Sequence, residues 1–241
     1  MIADEQHSHP YVGAPGAELL DANAFNHAIV GLIEKELPAW RDRPLRPPFQ
    51  DEPKLNQSLC LHLDSAARHR GLDSIRFVQE GIQAGSRRTD IGVMVPGTIT
   101  VEGRDYEDFV QLLPIECKRL PTPPDKRRSD CEYVHGLTGH RTGAIERFKH
   151  GLHGSTNEHA MIIAYVQSES FPHWLTLINK RLSELADDAT DHGLWSPPEV
   201  LSTDSAPAQP NLYKLHSCHR RLCPPSSSHW VEVSHLWLSM N

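Results

Sequence analysis

Two apolar stretches of the sequence carry three polar side chains that together can catalyse hydrolysis. Asp90 opens one stretch, and Glu116 and Lys118 close the next one. Because the side chains of a β-strand alternate between its two faces, Glu116 and Lys118 project to the same face and Cys117 projects to the other. If the two strands are neighbours, two carboxylates and an ammonium group converge. The pattern therefore predicts a site for a hard cation beside a lysine.

Such a group has the composition needed to hydrolyse a phosphodiester bond. Two carboxylates can hold Mg²⁺, which lowers the pKa of a bound water and neutralises charge that grows on the phosphoryl oxygens. A lysine can orient that water or stabilise the transition state. The alternative interpretation is an exposed Glu-Lys pair of purely structural value. Ile115 and the apolar run before it argue against a wholly exposed strand.

The periodicity of apolar residues predicts the elements that must carry this group. Helical spacing indicates helices over 24–40, 53–69, 138–151 and 174–186. Strand-like patterns occur over 75–80, 90–95, 98–101, 109–118, 160–166, 212–216 and 230–238. Pro114 weakens the prediction for the first half of its strand. Strands in succession, then a helix and a buried strand, predict an α/β fold with a central mixed β-sheet flanked by helices.

At Thr89-Asp90 and Glu116-Cys117-Lys118 the sequence resembles the PD-(D/E)XK nuclease superfamily, whose members have a restriction-endonuclease-like fold. The α-β-β-β-α-β order is similar as well, and Thr89 stands where the family has proline. The resemblance implies that Asp90 and Glu116 bind the metal, with the backbone carbonyl of Cys117 as a further ligand. It also implies that Lys118 is the catalytic lysine and that Mg²⁺ is the cofactor, with Mn²⁺ able to replace it.

The same resemblance, which covers about residues 50–166, implies one more acidic residue. Many members of the superfamily place a glutamate on the helix before the first strand of the core. Glu52, at the start of the second predicted helix, is the best match, and Glu80 on the first strand is the competing candidate. We therefore expect Glu52 to join the catalytic group, with Glu80 as the alternative.

A basic band follows the lysine. Between Lys118 and His150 the sequence has eight Lys and Arg against four Asp and Glu, although the whole chain has a formal net charge of −7. A locally basic segment on a chain of net negative charge is typical of an enzyme that binds a phosphate backbone at one site. A solvated charged loop is the alternative. The residues expected to bind nucleic acid are Arg119, Arg141, Arg147 and Lys149.

The segment 132–148 is loosely similar to one that follows the Glu-x-Lys strand in nuclease-like proteins of bacterial defence loci. In that resemblance Arg147 and Lys149 face the active site and contact phosphate, as guanidinium and ammonium groups do well. The alternative is an exposed helix face with mixed charges.

Length and composition indicate a single elaborated domain of 241 residues. We expect a lead-in and helix over 1–49, the nuclease-like core over 50–190, and a linker with a C-terminal hairpin over 191–241 that completes the same domain. No apolar run reaches membrane-spanning length, and the N-terminus lacks a signal-peptide pattern. The five cysteines are scattered and odd in number, which favours a cytoplasmic protein with reduced thiols.

Other candidate sites have weaker patterns. One group near the C-terminus lacks zinc-ligand spacing and is interpreted as part of a hairpin; it comprises His216, Cys218, His219 and Cys223. Three histidines are interpreted as loop or surface residues: His153, His159 and His173. The sequence contains no Gly-x-Ser-x-Gly nucleophile motif and no glycine-rich nucleotide-binding motif.

The sequence therefore predicts a Mg²⁺-dependent nuclease that acts on DNA in preference to RNA. Since no added DNA-reading module is visible, we expect a protein partner subunit or a homo-oligomer to direct it. The resemblance to nuclease-like proteins of defence loci implies that it is the effector of a multi-protein bacterial defence system. One alternative is a non-catalytic scaffold or nucleic-acid-binding subunit that keeps the nuclease fold. A second is an interaction protein in which Glu116-Cys117-Lys118 is merely structural.

Overall fold

The structure is a computed structural model, and it describes residues 22–48, 50–82, 88–97, 99–101, 104–106, 110–124, 129, 131–137, 140–188, 194–203, 209–222 and 229–241. Most of the predicted lead-in lies outside the described residues, as does Cys223.

The helices and strands follow one another along the chain in an order close to the predicted one. The helices are α1 (Ala22–Arg41), α2 (Glu52–His69), α3 (Ala144–Lys149) and α4 (Phe171–Asp187). The strands are β1 (Arg76–Ile82), β2 (Arg88–Met94), β3 (Ile99–Val101), β4 (Arg104–Tyr106), β5 (Gln111–Leu120), β6 (His159–Val166), β7 (Leu212–Arg220) and β8 (Trp230–Ser239). In the described part of the chain, no helix is both long and apolar enough to cross a lipid bilayer.

Six of the strands form one mixed sheet in the order β1-β2-β5-β6-β8-β7. The β1, β2 and β5 strands are antiparallel neighbours, whereas β5, β6 and β8 run parallel, and β7 returns antiparallel to β8. The predicted α/β fold with a mixed sheet is therefore confirmed. Strands β3 and β4 form a separate two-stranded hairpin within the connection between β2 and β5.

The sheet separates two hydrophobic cores. On one face α1 and α2 pack against alternate residues of the central strands, among them Ile115 and Ile163. On the other face α3 and α4 pack against the intervening residues, among them Ile162 and Ala164. Burial on both faces explains why β5 and β6 have nearly continuous apolar sequences. A polar side chain in the middle of these strands, such as that of Glu116, is therefore enclosed.

The start of α2 is fixed both locally and by the sheet. The Asp51 side chain accepts a hydrogen bond from the Lys54 backbone N–H at 3.2 Å, and Pro53 occupies the first turn, where a missing N–H costs nothing. Arg119 at the end of β5 donates to the carbonyl oxygen of Gln50 at 2.9 Å. The first residue of α2, Glu52, is thereby held near the carboxyl end of β5.

The helix predicted over 138–151 is too long, because within the described residues 140–151 helical structure is confined to α3. Gly143, directly before α3, has an extended backbone with φ −66° and ψ 144°. A Cβ atom on Gly143 would lie 2.2 Å from the Cα of His135. The chain is so closely packed here that the helix starts only at Ala144, where the Glu146 side chain caps it by accepting from the Gly136 and Gly143 N–H groups.

Candidate active site

Asp90 and Glu116 lie on adjacent strands at the point where the strands separate. The β2–β5 ladder runs from the Met94–Gln111 pair to the Ile91–Ile115 pair. Beyond that pair, the Asp90 carboxylate takes the place of a backbone carbonyl, since its Oδ2 accepts a 2.7 Å hydrogen bond from the Cys117 N–H. By strand alternation both carboxylates belong to the sheet face that carries α3. The prediction that these two strands are neighbours is confirmed.

Glu116 is completely buried and is surrounded by three basic side chains. Its Oε2 lies 3.0 Å from Arg147 Nη1 and 3.4 Å from Lys118 Nζ. Its Oε1 lies 2.5 Å from His153 Nδ1. Burial by itself would raise the pKa of Glu116, but the positive charges of these neighbours and the His153 hydrogen bond outweigh it and lower that pKa to about 2. Glu116 is therefore ionised at neutral pH.

Asp90 has the opposite behaviour. Desolvation and the adjacent Glu116 charge raise the pKa of Asp90 to about 7, and Lys118 and the Cys117 N–H only partly offset that rise. For Lys118, burial acts to lower the pKa, but the negative charges of Glu116, Asp90 and Glu52 raise it above its ordinary value. The site therefore holds one permanent carboxylate, one carboxyl that titrates near neutrality, and a permanent ammonium group.

The structure distinguishes the two candidates for the additional acid. Glu52 lies close enough for its charge to raise the pKa values of Asp90 and Lys118. Glu80 instead is exposed and forms a 2.6 Å ion pair with Arg88 on the surface of the sheet. Its backbone is left-handed, with φ 50°, opposite the start of β2. Glu52 therefore lies near Asp90 and Lys118, whereas the Glu80 carboxylate is paired at the surface.

The four residues expected to bind nucleic acid have four different surroundings. Arg147 reaches Glu116 from α3 and keeps about a quarter of its side chain exposed. Arg141 is exposed just before α3. Arg119 is partly exposed, and its guanidinium group donates to Gln167 Oε1 as well as to the α2 start.

Lys149 does not lie where the sequence predicted. Its side chain is fully buried, its ammonium group forms an ion pair with Glu199, and it also donates to the Arg220 carbonyl oxygen at 3.1 Å. The Trp195 ring centroid lies 4.8 Å from Lys149 Nζ. The expectation that Lys149 meets a phosphate is therefore not met, because its charge is already neutralised inside the protein on the side of α3 away from Glu116.

His153 lies in a loop, as the sequence predicted, but it is not at the surface. His153 is 4% exposed and touches the central carboxylate of the site. The available signal was its position between Gly151 and Gly154, whose φ values of 59° and 58° produce a tight loop directly before a buried strand. His159, by contrast, is partly exposed and lies 3.4 Å from Glu232, and His173 is exposed in the first turn of α4.

The donor atoms near Lys118 suit a hard divalent cation. Carboxylate oxygens of Asp90, Glu116 and Glu52 are the ligand type that Mg²⁺ prefers, and such sites commonly use one or two carboxylates with water. Within the described residues, no three His, Cys, Asp or Glu side chains form a ready cluster of metal ligands. The Cys117 thiol lies in the opposite core beside Tyr165, so only its backbone carbonyl could serve a cation on this face.

A second polar cluster has the connectivity of a nucleophilic triad. Ser217 Oγ lies 2.7 Å from His219 Nε2, and His219 Nδ1 lies 3.2 Å from Glu199 Oε2. All three residues are at most 3% exposed, and Ser217 Oγ is shared with His235 Nε2 at 2.8 Å. A hydroxyl enclosed in this way cannot meet a substrate. We therefore interpret the cluster as a structural network within the predicted C-terminal hairpin, which β7 and β8 confirm.

Comparisons with known proteins return no match to a family model, to a curated protein or to a solved structure.

Proposed function

We propose that this protein is a metal-dependent nuclease that hydrolyses phosphodiester bonds of nucleic acid, with a restriction-endonuclease-like core. The observation that carries the proposal is that the Asp90 and Glu116 carboxyls lie on neighbouring strands beside the buried Lys118 ammonium group. Asp90 has its pKa raised to about 7 while Glu116 has its pKa lowered to about 2. Repulsion between two neighbouring carboxylates destabilises the metal-free protein, and a bound cation would offset that repulsion.

Each residue has a role in this proposal. Asp90 and Glu116 would hold Mg²⁺ or Mn²⁺, with Glu52 as the auxiliary acid and the Cys117 carbonyl as a further ligand. A bound divalent cation supplies a water of lowered pKa and neutralises phosphoryl charge. Lys118, fixed by Glu116, orients the attacking water or stabilises charge in the transition state.

Arg147 is the residue best placed to contact a phosphate group. Its guanidinium now pairs with Glu116, yet part of the side chain remains at the surface. Arg141 is exposed and Arg119 partly so at the ends of the neighbouring elements. With Lys149 buried, few basic side chains in the described part of this band reach the surface, and the chain has a formal net charge of −7. An acidic chain with few exposed basic groups has low affinity for polyanions, which favours a nuclease that a partner subunit or a second copy brings to DNA. The proposed cytoplasmic defence setting rests on the family resemblance alone.

Cleavage assays test the proposal directly. Linear, circular, single-stranded and double-stranded DNA, and RNA, are incubated with the protein and Mg²⁺ or Mn²⁺. We expect cleavage that EDTA abolishes and that Asp90→Ala and Lys118→Ala reduce by 100-fold or more, on the order of a lost charge-stabilising group. Variants must melt like the parent protein. Cleavage by both variants at the parent rate would refute the assignment.

Glu52 and Glu80 form a matched pair for the auxiliary role. Glu52→Gln should weaken Mn²⁺ binding, measured by calorimetry, because it removes a negative charge that acts on Asp90 and Lys118. Glu80→Gln should leave binding unchanged, since its partner is the exposed Arg88. Equal effects of the two changes would remove Glu52 from the site.

One observation favours the non-catalytic alternative. Both oxygens of Glu116 are already engaged by Arg147, Lys118 and His153, so the buried charge is satisfied without a cation. A scaffold or nucleic-acid-binding subunit would keep such an arrangement for stability. Calorimetry distinguishes the nuclease from the non-catalytic subunit. If the protein is a scaffold, we expect no Mn²⁺ binding that depends on Asp90 and Glu116.

A further inference from the structure

The loop that carries His153 is fixed by side-chain hydrogen bonds to backbone carbonyl groups. The loop, residues 150–158, follows α3 and brings His153 beneath the sheet. From the far side of the loop, Arg221 donates to the carbonyl oxygen of Ser155 at 2.7 Å, to that of Gly154 at 2.8 Å, and to that of Asn157. One guanidinium group thus ties three backbone carbonyl groups of the loop to the residue that follows β7.

The same loop is attached to the strand that carries Glu116. The Asn157 side-chain amide donates to the carbonyl oxygens of Gln111 at 2.7 Å and Leu112 at 2.9 Å, both at the start of β5. Gly154 packs so closely on Pro114 of β5 that a Cβ atom would lie 2.5 Å from the proline ring. The position of His153 relative to β5 is therefore set by direct contacts on both sides.

The hydrogen bond between His153 and Glu116 has a defined direction. The Glu116 carboxylate is ionised and can only accept, so His153 Nδ1 must carry the hydrogen. This bond occupies Oε1, whereas Arg147 and Lys118 approach Oε2. The two oxygens are thus held by different neighbours, which fixes the rotation of the carboxylate about its last bond.

We propose that His153 is a positioning residue that orients the Glu116 carboxylate for cation binding and is itself held by the Arg221 and Asn157 contacts. This inference rests on the proposed function. Groups that hydrogen-bond a ligating carboxylate contribute about 10-fold to 100-fold to metal affinity. His153 acts through Glu116 and is not assigned any contact with substrate.

Calorimetric titration with Mn²⁺ tests the proposal without requiring turnover. His153→Ala should weaken binding by about 10-fold to 100-fold. His153→Asn should bind close to the parent affinity, because an asparagine amide can donate from nearly the position of Nδ1 but offers no second ring nitrogen. His159→Asn serves as the matched control at a partly exposed histidine. Melting temperatures identify any variant that fails to fold.

The titration results distinguish the proposed role of His153 from the proposed nuclease function on which it rests. Parent affinity in His153→Ala, together with loss of binding in Glu116→Gln, would overturn the inference and leave the metal site standing. Binding by His153→Asn as weak as by His153→Ala would also overturn it, since it would make the ring itself necessary. No Mn²⁺ binding by the parent protein would overturn both proposals.

Discussion

At the residue scale, the two central carboxyls of the site differ because their neighbours differ. Glu116 has basic groups at 2.5, 3.0 and 3.4 Å, which keep it charged despite complete burial. Asp90 is also desolvated, but its hydrogen-bond partner is the uncharged Cys117 N–H, and Glu116 repels its negative form. A cation that binds here therefore competes with a proton on Asp90 and with basic side chains on Glu116.

The raised pKa of Asp90 gives a prediction for stability against pH. An acid whose pKa rises on folding, here from 3.8 to about 7, binds its proton more tightly in the folded state. Folding is therefore favoured at low pH, and this contribution is lost as the pH rises from about 4 to about 7. Without metal, Asp90→Asn should stabilise the protein above pH 7, by an amount on the order of 2–4 kcal/mol.

The gain from Asp90→Asn should shrink towards pH 4, which thermal melts in EDTA at pH 5, 6, 7 and 8 would follow. Asp73→Asn, at an exposed turn before β1, is the control, and it should not stabilise the protein at pH 8 because it relieves no burial. A stabilisation that is equal at pH 5 and pH 8 would contradict the raised pKa.

Sequence periodicity located part of the site because strand geometry is regular. Alternation alone put Glu116 and Lys118 on one face, and the structure has them 3.4 Å apart. The glycines around His153 indicate a tight loop, but its contact with Glu116 could not be foreseen, since that partner lies 37 positions away and loops have no repeating pattern. Lys149 was misplaced for a related reason. Its partner Glu199 is 50 positions further along the chain, and no local rule brings the two together.

At the element scale, the loop after α3 contains a glycine whose backbone conformation and close packing both disfavour a side chain. Gly154 has φ +58°, and a Cβ atom there would approach Pro114 to 2.5 Å. Gly154→Ala should destabilise the protein by roughly 2–4 kcal/mol, because backbone strain and overpacking add. Chemical denaturation measures this change.

Gly71 provides the matched control for that substitution. It has φ +73° but open space around its missing Cβ, so Gly71→Ala carries the backbone strain alone, about 1 kcal/mol. If the two substitutions cost the same, the contact with Pro114 is not a constraint on the loop.

The short helix α3 depends on a buried ion pair for its attachment. Lys149→Ala should destabilise the protein by about 3–5 kcal/mol, because the buried Glu199 carboxylate would lose its ammonium partner and keep only its hydrogen bonds with His219, Ser196 and the Arg220 N–H. Lys180→Ala is the control, since Lys180 is exposed on α4 and lies 3.8 Å from Glu184, and it should change stability by less than about 0.5 kcal/mol. A Lys149→Ala protein that melts like the parent but binds DNA poorly would instead support the original expectation of a phosphate contact.

Element positions were more predictable than element lengths. Apolar periodicity found α1, α2 and α4 to within a few residues, since packing against a core imposes the helical repeat. It failed over 138–151, where close packing of Gly143 on His135 prevents an earlier helix start. It also missed the β3–β4 hairpin except for its first strand, because three-residue strands leave too few positions for a pattern.

At the scale of the whole molecule, the C-terminal strands complete the sheet that supports the site. Strand β8 lies between β6 and β7, and it pairs with β6 from His159–Glu232 to Val166–Ser239. Side chains of β8 enter both cores, as Leu236 and Trp237 do on opposite faces. The mixed α/β sheet could be predicted from the order of elements, but the insertion of β8 between β6 and β7 could not, since it depends on pairing across long separations.

A chain that ends at residue 203 should therefore not fold. It would expose the edge of β6 and leave both cores open, so we expect no cooperative thermal transition and strong binding of a hydrophobic dye. Addition of a peptide covering residues 204–241 should restore cooperative melting if the missing strands are the cause. A truncated chain that melts cooperatively on its own would show that the core over 50–190 is self-sufficient.

The order of strands in the sheet also has a consequence for the timing of synthesis. The ribosome makes Asp90, Glu116 and Lys118 long before it makes Trp230–Ser239, yet β6 gains its second neighbour only from that last strand. A nascent chain thus carries every proposed catalytic side chain while its central sheet is still open on one side. If the protein is a nuclease, the cell gains an interval during translation in which the chain is present but cannot yet cut.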